Sequence, residues 1–377
     1  MCSKPVPPSV LHVSQPSTEG VARCAADLIA AQRARNWDVA VACPSSGWLS
    51  ASARETGATH FEWHARRSPG PWVAGETRAL GAIVDRADPT VVFLHSSKAG
   101  LAGRLAIRGA RPTMFEPHAW SFLVGGPLAQ AARVWERWGA RWTDLLVCCG
   151  RAELDAGRAA GVRGDAAVVA NSVDLKKYSP AGASERSAAR KRIGVAEEPL
   201  VVCVGRLSRQ KGQDLLLDAW PGVRDAAPTA RLALIGDGPE GEALSRRAVE
   251  GVDFMGSRDD VGDWLAACDV VAVPSRYDCP SLAVLEALAR ARAVVAHAVG
   301  GMVEVLAADG LPAGGALVPL GDRRALADAI AARLLDPELA AAEGQAGRRI
   351  VEQNHDLTKW GERLCELTER VAAGTNS

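Results

Sequence analysis

Short apolar segments alternate with longer helix-forming segments along the whole chain, and this alternation limits the possible folds more than any other feature. Almost every residue in these segments is apolar, which is typical of strands buried on both faces of a parallel sheet. The stretches between them, rich in Ala, Leu and Arg, predict the covering helices, so the expected class is α/β. The predicted strands are 9-SVLHVSQP, 38-DVAVACP, 90-TVVFLHSS, 112-PTMFEPH, 144-DLLVCCG, 166-AAVVANS, 199-PLVVCVG, 230-ARLALIG, 252-VDFMG, 269-DVVAVPS, 293-AVVAHA and 314-GGALVPL.

The number of predicted strands indicates two domains. The chain has 377 residues, and about a dozen strands are too many for one comfortable sheet. The polar stretch 171–199 lacks a strand pattern and is typical of a linker with one short helix. We therefore predict one domain over residues 1–180 and a second over residues 195–357. The helical tail that follows, residues 358–374, is expected to return to the first domain.

The charge balance argues against a general nucleic-acid-binding protein. The chain carries 44 basic and 44 acidic side chains, whereas proteins of that class are usually strongly basic. The balance is uneven along the chain. Residues 1–200 carry 25 basic and 18 acidic side chains, and residues 201–377 carry 19 and 26. This division is consistent with two domains that have different ligands.

Cysteine usage and the N-terminal segment predict a cytoplasmic protein. None of the nine cysteines forms a C-x-x-C pair, and most lie in apolar segments, as buried free thiols do. The segment MCSKPVPPSV has no apolar core of a signal peptide, and no stretch approaches the roughly 18 apolar residues of a membrane span. Peripheral contact with the inner face of a membrane remains open at this stage.

Two cations directly after the strand 199-PLVVCVG form a candidate anion site. Arg206 and Lys211 lie in the loop 205-GRLSRQKG-212, just before a predicted helix. Ligands of open α/β sheets bind beyond the carboxyl ends of the strands. The arginine fork, the lysine charge and the helix dipole together suit a diphosphate. The alternative is an ordinary solvated basic loop.

Two acids follow the strand 269-DVVAVPS. Asp278 is predicted in a loop, and Glu286 lies two turns into the next helix, on an unusually apolar face. A buried carboxylate needs a partner, and a ribose diol would provide one. The backbone amides around Ser281 and Leu282, at the start of that helix, could hold phosphate oxygens. Either acid alone could equally be a helix cap or a surface charge.

Taken together, the sequences 205-GRLSRQKG-212, 278-DCPSLAVLE-286 and 299-VGGMVE-304 resemble the motifs of the family 4 retaining glycosyltransferases of the GT-B fold, the group 1 glycosyl transferase type. The resemblance covers essentially the whole chain. It implies two Rossmann-like domains that face each other across a cleft, with a C-terminal helix that crosses back to the first domain. It also implies retaining, metal-independent transfer of a hexosyl or N-acetylhexosaminyl unit from a nucleotide diphosphate sugar to a hydroxyl acceptor, without a further cofactor.

The resemblance assigns roles to individual residues. Arg206 and Lys211 would stabilise the leaving diphosphate, Glu286 would bind the ribose, and residues 255–258 would hold the base. The predicted catalytic residues are Arg206, Lys211, Asp278 and His118, and the predicted donor-binding residues are Gly20, Gly205, Met255, Arg258, Ser281, Leu282 and Glu286. No metal ligand is predicted. The family usually has Glu followed by Gly where this chain has Asp278 and Cys279, which leaves the donor sugar contact open.

The first domain supplies weaker candidates. Gly20, in the turn 15-QPSTEGVAR-23, could adopt a positive φ or allow a close approach to the donor. His118 follows the strand 112-PTMFEPH, where family members commonly have a histidine that hydrogen-bonds the donor sugar. His95 and Arg151 lie at the ends of other predicted strands and could be structural instead. The tryptophans between residues 120 and 142 are expected to pack in a core, with an acceptor platform as the alternative.

Three other functions remain open on the sequence alone. One is a nicotinamide-dependent oxidoreductase, although no G-x-G-x-x-G follows the first strand. The second is a non-catalytic sugar-nucleotide-binding homologue, which the Asp278 departure suggests, and the third is a sugar-nucleotide epimerase. For the donor, a UDP-hexose or UDP-N-acetylhexosamine is favoured over GDP-mannose. The acceptor could be a polysaccharide intermediate, a lipid-linked glycan or a small natural product.

Overall fold

The computed structural model describes residues 7–307 and 310–374, which form two compact units. Unit 1 contains the described residues up to Ala170 and those from Thr358 onward, and unit 2 contains Asn171–Leu357. The change of unit falls at the start of the polar stretch 171–199. The first six residues of the predicted first domain, which include Cys2, lie outside the described residues.

Unit 1 is built on a seven-stranded parallel sheet with the order β3-β2-β1-β4-β5-β6-β7. Its strands are β1 (Ser9–Ser14), β2 (Asp38–Cys43), β3 (Thr59–Glu62), β4 (Val91–His95), β5 (Thr113–Glu116), β6 (Leu145–Cys148) and β7 (Ala166–Val168). Its helices are α1 (Glu19–Ala34), α2 (Leu49–Glu55), α3 (Val73–Ala87), α4 (Ser96–Ile107), α5 (Ala129–Gly139) and α6 (Arg151–Ala159). Short 3₁₀ turns flank α5, at Ser121–Val124 and Ala140–Trp142.

Unit 2 is built on a six-stranded parallel sheet with the order β10-β9-β8-β11-β12-β13. Its strands are β8 (Leu200–Val204), β9 (Arg231–Ile235), β10 (Val252–Gly256), β11 (Val270–Val273), β12 (Ala293–His297) and β13 (Gly315–Val318). Its helices are α7 (Ala183–Ile193), α8 (Gln213–Ala226), α9 (Gly241–Ser245), α10 (Val261–Ala267), α11 (Leu282–Ala289), α12 (Gly300–Leu306), α13 (Arg323–Leu335) and α14 (Pro337–Asn354).

The helix α15 (Leu357–Ala373) follows unit 2 in the chain and belongs to unit 1 from Thr358 onward. It packs on α1, where a Cβ atom placed on Gly361 would lie 3.0 Å from the Ala31 Cβ. Within the described residues, no helix has both the length and the apolar character needed to cross a membrane.

The central strands form where the apolar pattern predicts them, and they bury side chains on both faces. In β11, Val271 points into one core of unit 2, whereas Val270 and Ala272 point into the other. The predicted strands do not include β3. The edge strand β3 carries Thr, His and Glu and is only partly buried, so it lacks the continuous apolar run of a central strand.

Two helical glycines of unit 1 allow a matched test of this packing. A Cβ on Gly100 in α4 would lie 2.4 Å from the ring of Phe115, which is fully buried and also packs against the Arg104 guanidinium. A Cβ on Gly75 in α3 would meet no atom within 4 Å. We expect Gly100→Ala to lower the free energy of unfolding by about 1–3 kcal/mol. We expect Gly75→Ala to raise it by up to about 1 kcal/mol. Thermal denaturation of both variants measures the difference, and equal stability would contradict the described packing.

Candidate active site

The predicted diphosphate loop lies at the point where the order of strands in unit 2 reverses. The chain runs from β8 outward through β9 and β10, then returns to place β11 on the other side of β8. The loops that follow β8 and β11 therefore leave the same edge of the sheet side by side. This is the position at which open α/β sheets bind their ligands.

Lys211 and Asp278 form an ion pair between these two loops. The Lys211 Nζ lies 2.6 Å from Asp278 Oδ2, which also accepts a hydrogen bond of 3.0 Å from the Ser275 hydroxyl. The Asp278 side chain is 8 % exposed and the Lys211 side chain is 21 % exposed. The carboxylate thus holds the ammonium group in place while part of the lysine remains accessible from solvent.

Arg276 clamps the two loops together through further contacts. Its guanidinium donates to both carboxylate oxygens of Asp214, at 2.8 and 2.6 Å, and to the backbone oxygen of Arg209 at 2.8 Å. Its backbone N–H donates to the Gln210 oxygen. Hydrogen bonds from Arg276 hold the pKa of Asp214 below its usual range. The clamp fixes the loop that carries Arg206 and Lys211.

Two glycines permit the close approach of backbone segments at this site. Gly212 has φ +69°, and a Cβ there would lie 2.1 Å from the Pro274 oxygen, so only glycine suits the start of α8. A Cβ on Gly301 would lie 2.3 Å from the Pro280 nitrogen, and the Gly301 N–H donates to the Asp278 oxygen. The motif 299-VGGMVE-304 therefore packs directly on the loop that carries Asp278.

The helix α11 begins at this cluster. Ser281 is its N-cap residue and Leu282 its first residue, so the amides of Leu282 and Ala283 have no acceptor within the helix. Such amides, together with the helix dipole, favour an anion. Glu286 lies further along α11 and is partly buried. Six of the predicted site residues therefore lie in the two loops after β8 and β11 and at the start of α11. They are Gly205, Arg206, Lys211, Asp278, Ser281 and Leu282.

The residues predicted to hold the base lie two strands away, at the same edge of the sheet. Met255 is in β10, and the turn after it is fixed by a hydrogen bond of 2.9 Å from the Ser257 N–H to Asp237 Oδ2. Arg258 donates to both carboxylate oxygens of Asp260, at 2.8 and 2.6 Å. Its charge is thus already paired, and its side chain is 39 % exposed.

Gly20 does not have the backbone conformation that was expected of it. The positive φ in this turn, +64°, belongs to Glu19, and Gly20 is the second residue of α1 with no left-handed φ. Of the two alternatives for Gly20, the positive φ does not occur, because the chain turns one residue earlier, at the first residue of the helix. A contact between Gly20 and the donor stays a prediction.

His118 belongs to a chain of buried polar side chains in unit 1. Its Nε2 lies 3.3 Å from Glu116 Oε2, and its backbone has φ +51°. His95 lies on the other side of Glu116, and its Nε2 is 2.9 Å from His12 Nδ1. Burial lowers the pKa of His118, which Glu116 partly opposes, and burial raises the pKa of Glu116.

The remaining first-domain candidates separate into core and surface. Trp120 is fully buried and stacks on Phe122, as expected for core packing. The other three tryptophans of this segment, Trp135, Trp138 and Trp142, contact one another at the end of α5 and in the 3₁₀ turn that follows it. The Trp138 side chain is 40 % exposed. Arg151 is the first residue of α6.

Sequence reasoning missed the residues that organise the site through other residues. No role was predicted for Arg276 or Asp214, because a loop arginine and a helix-start aspartate are common on any surface. No role was predicted for His12 or Glu116 either. The only available signal was a single ionisable residue inside an apolar strand segment, which is unusual because a buried charge is costly.

Similarity to known proteins, in sequence and in structure, confirms the class of protein. The sequence pattern described as "Glycosyl transferases group 1" matches residues 198–336, and the pattern described as "Glycosyltransferase Family 4" matches residues 18–177. The structure is similar to the crystal structure of Anabaena HepE in complex with UDP and glucose, with a TM-score of 0.82 and 24 % identity, covering 96 % of this chain and 99 % of that one. That likeness shows the GT-B fold.

One curated relative shows the family, and a second is similar to about half of the chain. A GDP-mannose-dependent α-(1-6)-phosphatidylinositol monomannoside mannosyltransferase of Mycolicibacterium smegmatis is 33 % identical over 79 % of this chain and 80 % of its own length. The GDP-mannose-dependent monoacylated α-(1-6)-phosphatidylinositol monomannoside mannosyltransferase of Corynebacterium glutamicum is 35 % identical over 52 % of this chain, and the match spans 54 % of its own length.

The chain is therefore a nucleotide-sugar-dependent hexosyltransferase with the GT-B fold. It belongs to the family 4, or group 1, glycosyltransferases. The predicted family, fold and class of function are confirmed, and the oxidoreductase and non-catalytic alternatives are not favoured.

The clamp at Arg276 predicts a defect in donor binding. We expect Arg276→Ala to weaken the binding of GDP or UDP about ten-fold, because the lost charge-assisted hydrogen bonds free the loop of Lys211. Arg276→Lys should recover only part of the affinity, since lysine cannot bind Asp214 with two parallel donors. Isothermal titration with the nucleotide that the unsubstituted protein binds gives the dissociation constants. Arg231→Ala, which removes an exposed ion pair with Asp253 in the same unit, is the control. Wild-type affinity in Arg276→Ala would contradict the clamp.

Proposed function

We propose that this glycosyltransferase moves a hexosyl unit, with retention of configuration, from a nucleoside diphosphate sugar to a hydroxyl group of a lipid-linked acceptor. The observation that carries the proposal is the Lys211–Asp278 pair beside the first turn of α11, at the strand-order reversal of unit 2. A cation, free helical amides and Arg206 in the adjacent loop are the groups that a departing diphosphate requires.

In the proposed reaction the bond between the sugar C1 and the diphosphate oxygen breaks, and a bond from C1 to the acceptor oxygen forms on the same face. The acceptor proton passes to a phosphate oxygen of the leaving group, so no separate base is required. Lys211 and Arg206 offset the negative charge that develops on the diphosphate, which is the role that a divalent metal has in other transferases. Membership of a generally retaining family supports retention.

We propose GDP-mannose as the first donor to test and UDP-hexoses as the second. The names of both curated relatives specify GDP-mannose, and this support differs from the UDP preference expected from the sequence. The roles proposed for the remaining residues follow the sequence prediction: Glu286 binds the ribose, Met255 and Arg258 border the base, and Asp278 positions Lys211 while it faces the donor sugar. His118 and Gly20 are proposed to contact the donor from unit 1.

The test of this function combines donor, product and variants. Purified protein should show a thermal shift and transfer with GDP-mannose or a UDP-hexose, and none with NADP. The first product seen by ¹H NMR should keep the donor's anomeric configuration, in the presence of a chelator of free divalent ions. Lys211→Ala and Arg206→Ala should each reduce kcat by about 10²- to 10³-fold, the usual loss of an electrostatic group.

Arg231→Ala serves as the matched control, because it removes an arginine from an exposed ion pair at the start of β9. Full activity in both Lys211→Ala and Arg206→Ala would overturn the proposed site. Binding without turnover over a broad acceptor panel would support the non-catalytic alternative instead.

A basic and apolar surface on unit 1 supports a lipid-linked acceptor. The surface comprises α5 and the turn before it, where Leu128 is 65 % exposed, Val134 is 59 % exposed and Trp138 is 40 % exposed. Arg133 and Arg137 are exposed on α5, and Arg141 is exposed on the 3₁₀ turn that follows it. The only acid of α5, Glu136, is buried against Arg104. Apolar side chains interleaved with arginines suit the headgroup region of an anionic bilayer. We propose peripheral membrane contact through this surface.

Vesicle binding tests the proposed membrane contact. We expect the double variant Leu128→Glu/Val134→Glu to bind vesicles of phosphatidylcholine and phosphatidylglycerol about ten-fold more weakly or worse, because two apolar side chains no longer enter the bilayer. Raised salt should weaken the wild-type interaction. The control is Leu335→Glu, at a 62 % exposed position of unit 2. Equal cosedimentation of the double variant, the control and the wild type would exclude this surface.

A further inference from the structure

The first residue of unit 2 contacts the loop that carries Asp278. This residue is Asn171, and its side-chain amide donates a hydrogen bond of 2.8 Å to the backbone oxygen of Pro280, 109 positions further along the chain. A carbonyl oxygen can only accept, so the amide nitrogen of Asn171 must face Pro280. Asn171 is 7 % exposed, and the bond is therefore shielded from water.

The Pro280 carbonyl controls how the chain enters α11. Pro280 directly precedes Ser281, the N-cap residue of this helix. The Pro280 oxygen and the Ser281 N–H belong to one planar peptide and point to opposite sides of it, as in any trans peptide. A hydrogen bond to the oxygen therefore also sets the direction of this N–H. The amides of Leu282 and Ala283, which have no acceptor within the helix, follow in the same turn.

The loop before α11 is also held by contacts on the side of Asp278. The Gly301 N–H donates to the Asp278 oxygen at 3.1 Å, and a Cβ on Gly301 would lie 2.3 Å from the Pro280 nitrogen. The Ser275 hydroxyl donates to Asp278 Oδ2 at 3.0 Å. These contacts hold Asp278 and the nitrogen end of Pro280. The bond from Asn171 holds the carbonyl end, the last group before the N-cap residue.

The backbone that carries the Asn171 side chain is itself fixed. The imidazole of His355, which is 5 % exposed, donates from Nδ1 to the Asn171 backbone oxygen at 2.7 Å. The Val173 N–H donates to the His355 oxygen at 2.9 Å, and Val173 forms a parallel β-bridge with Asp356. Because both neighbouring groups are bonded, the Asn171 amide is presented to Pro280 from a braced segment.

We propose that Asn171 is a positioning residue of the donor site, which holds the Pro280–Ser281 peptide so that the first-turn amides of α11 meet the donor diphosphate. This inference rests on the proposed function, because it names a further residue of the same site. Asn171 acts through Pro280 and is assigned no contact with the donor. Amides that are already oriented need no reorganisation when an anion binds, so their anchor contributes to diphosphate affinity. The nucleoside is assigned to Glu286 and Met255, which lie further along α11 and in β10.

Affinity for the two parts of the nucleotide tests this role in the full chain. We expect Asn171→Ala to weaken the binding of GDP or UDP about ten-fold, and that of guanosine or uridine by less than about two-fold, because one buried hydrogen bond to the diphosphate-binding turn is lost. Asn171→Asp has nearly the same shape and should lose at least as much, since a carboxylate cannot donate to the Pro280 oxygen. Isothermal titration with the diphosphates and ligand-observed NMR with the nucleosides give the dissociation constants.

The matched control is Asn354→Ala, which removes the same type of side chain from an exposed position at the end of α14 and should keep wild-type affinity. Wild-type affinity for GDP and UDP in both Asn171 variants would overturn the proposal. An equal proportional loss for diphosphate and nucleoside would also overturn it, because that result indicates a general loss of structure. Wild-type protein that binds neither diphosphate would overturn the proposed donor site itself, so the two failures are distinguishable.

Hydrogen exchange of the unsubstituted protein gives a second measurement, which does not depend on the folding of a variant. Binding of GDP or UDP at α11 should slow the exchange of the Val173 N–H, because Pro280, Asn171 and His355 link the two places. The slowing should persist in Asn354→Ala and be reduced in Asn171→Ala. Protection of the α11 amides by the diphosphate without any change at Val173 would overturn the proposed link.

Discussion

The parallel arrangement of the strands is the constraint on which the rest of the molecule depends. Parallel strands bring all their carboxyl ends to one edge of a sheet, and a reversal of strand order there leaves two neighbouring loops with no connection crossing between them. In unit 2 these loops follow β8 and β11, and they carry Lys211 and Asp278. Residues that are 67 positions apart in the chain thus form an ion pair of 2.6 Å.

The same constraint acts in unit 1, where β1 and β4 are the central neighbours. His12 lies within β1, and His95 is the last residue of β4. The two strands are paired with His12 beside Phe93, two residues before His95. The His12 Nδ1 therefore comes within 2.9 Å of the His95 Nε2. The next strand, β5, ends at Glu116 and extends the polar chain to His118. Both units therefore concentrate ionisable groups at the end of the sheet where their strand order reverses.

The sequence could predict most of this fold because central parallel strands have a distinctive composition. Segments such as that of β8 are almost wholly apolar, and each predicted central strand of both sheets is present. The edge strand β3, with the sequence Thr-His-Phe-Glu, gives no such signal, which explains why it was missed, whereas the edge strands β7, β10 and β13 were predicted. The site loops were predicted from cations and acids placed after strands. Arg276 and Glu116 were not, because their importance depends on partners that only tertiary packing brings close.

Net charge does not locate the donor site, and the structure gives the physical reason. The half of the chain from residue 201 onward has 26 acidic and only 19 basic side chains, yet it holds the proposed diphosphate site. Two of its acids, Asp214 and Asp278, form ion pairs of 2.6 Å with Arg276 and Lys211, respectively. Interactions between exposed charges fade over about 10 Å at physiological salt. An incoming diphosphate therefore senses the neighbouring cations and the amides of α11, and the distant acids of unit 2 contribute little.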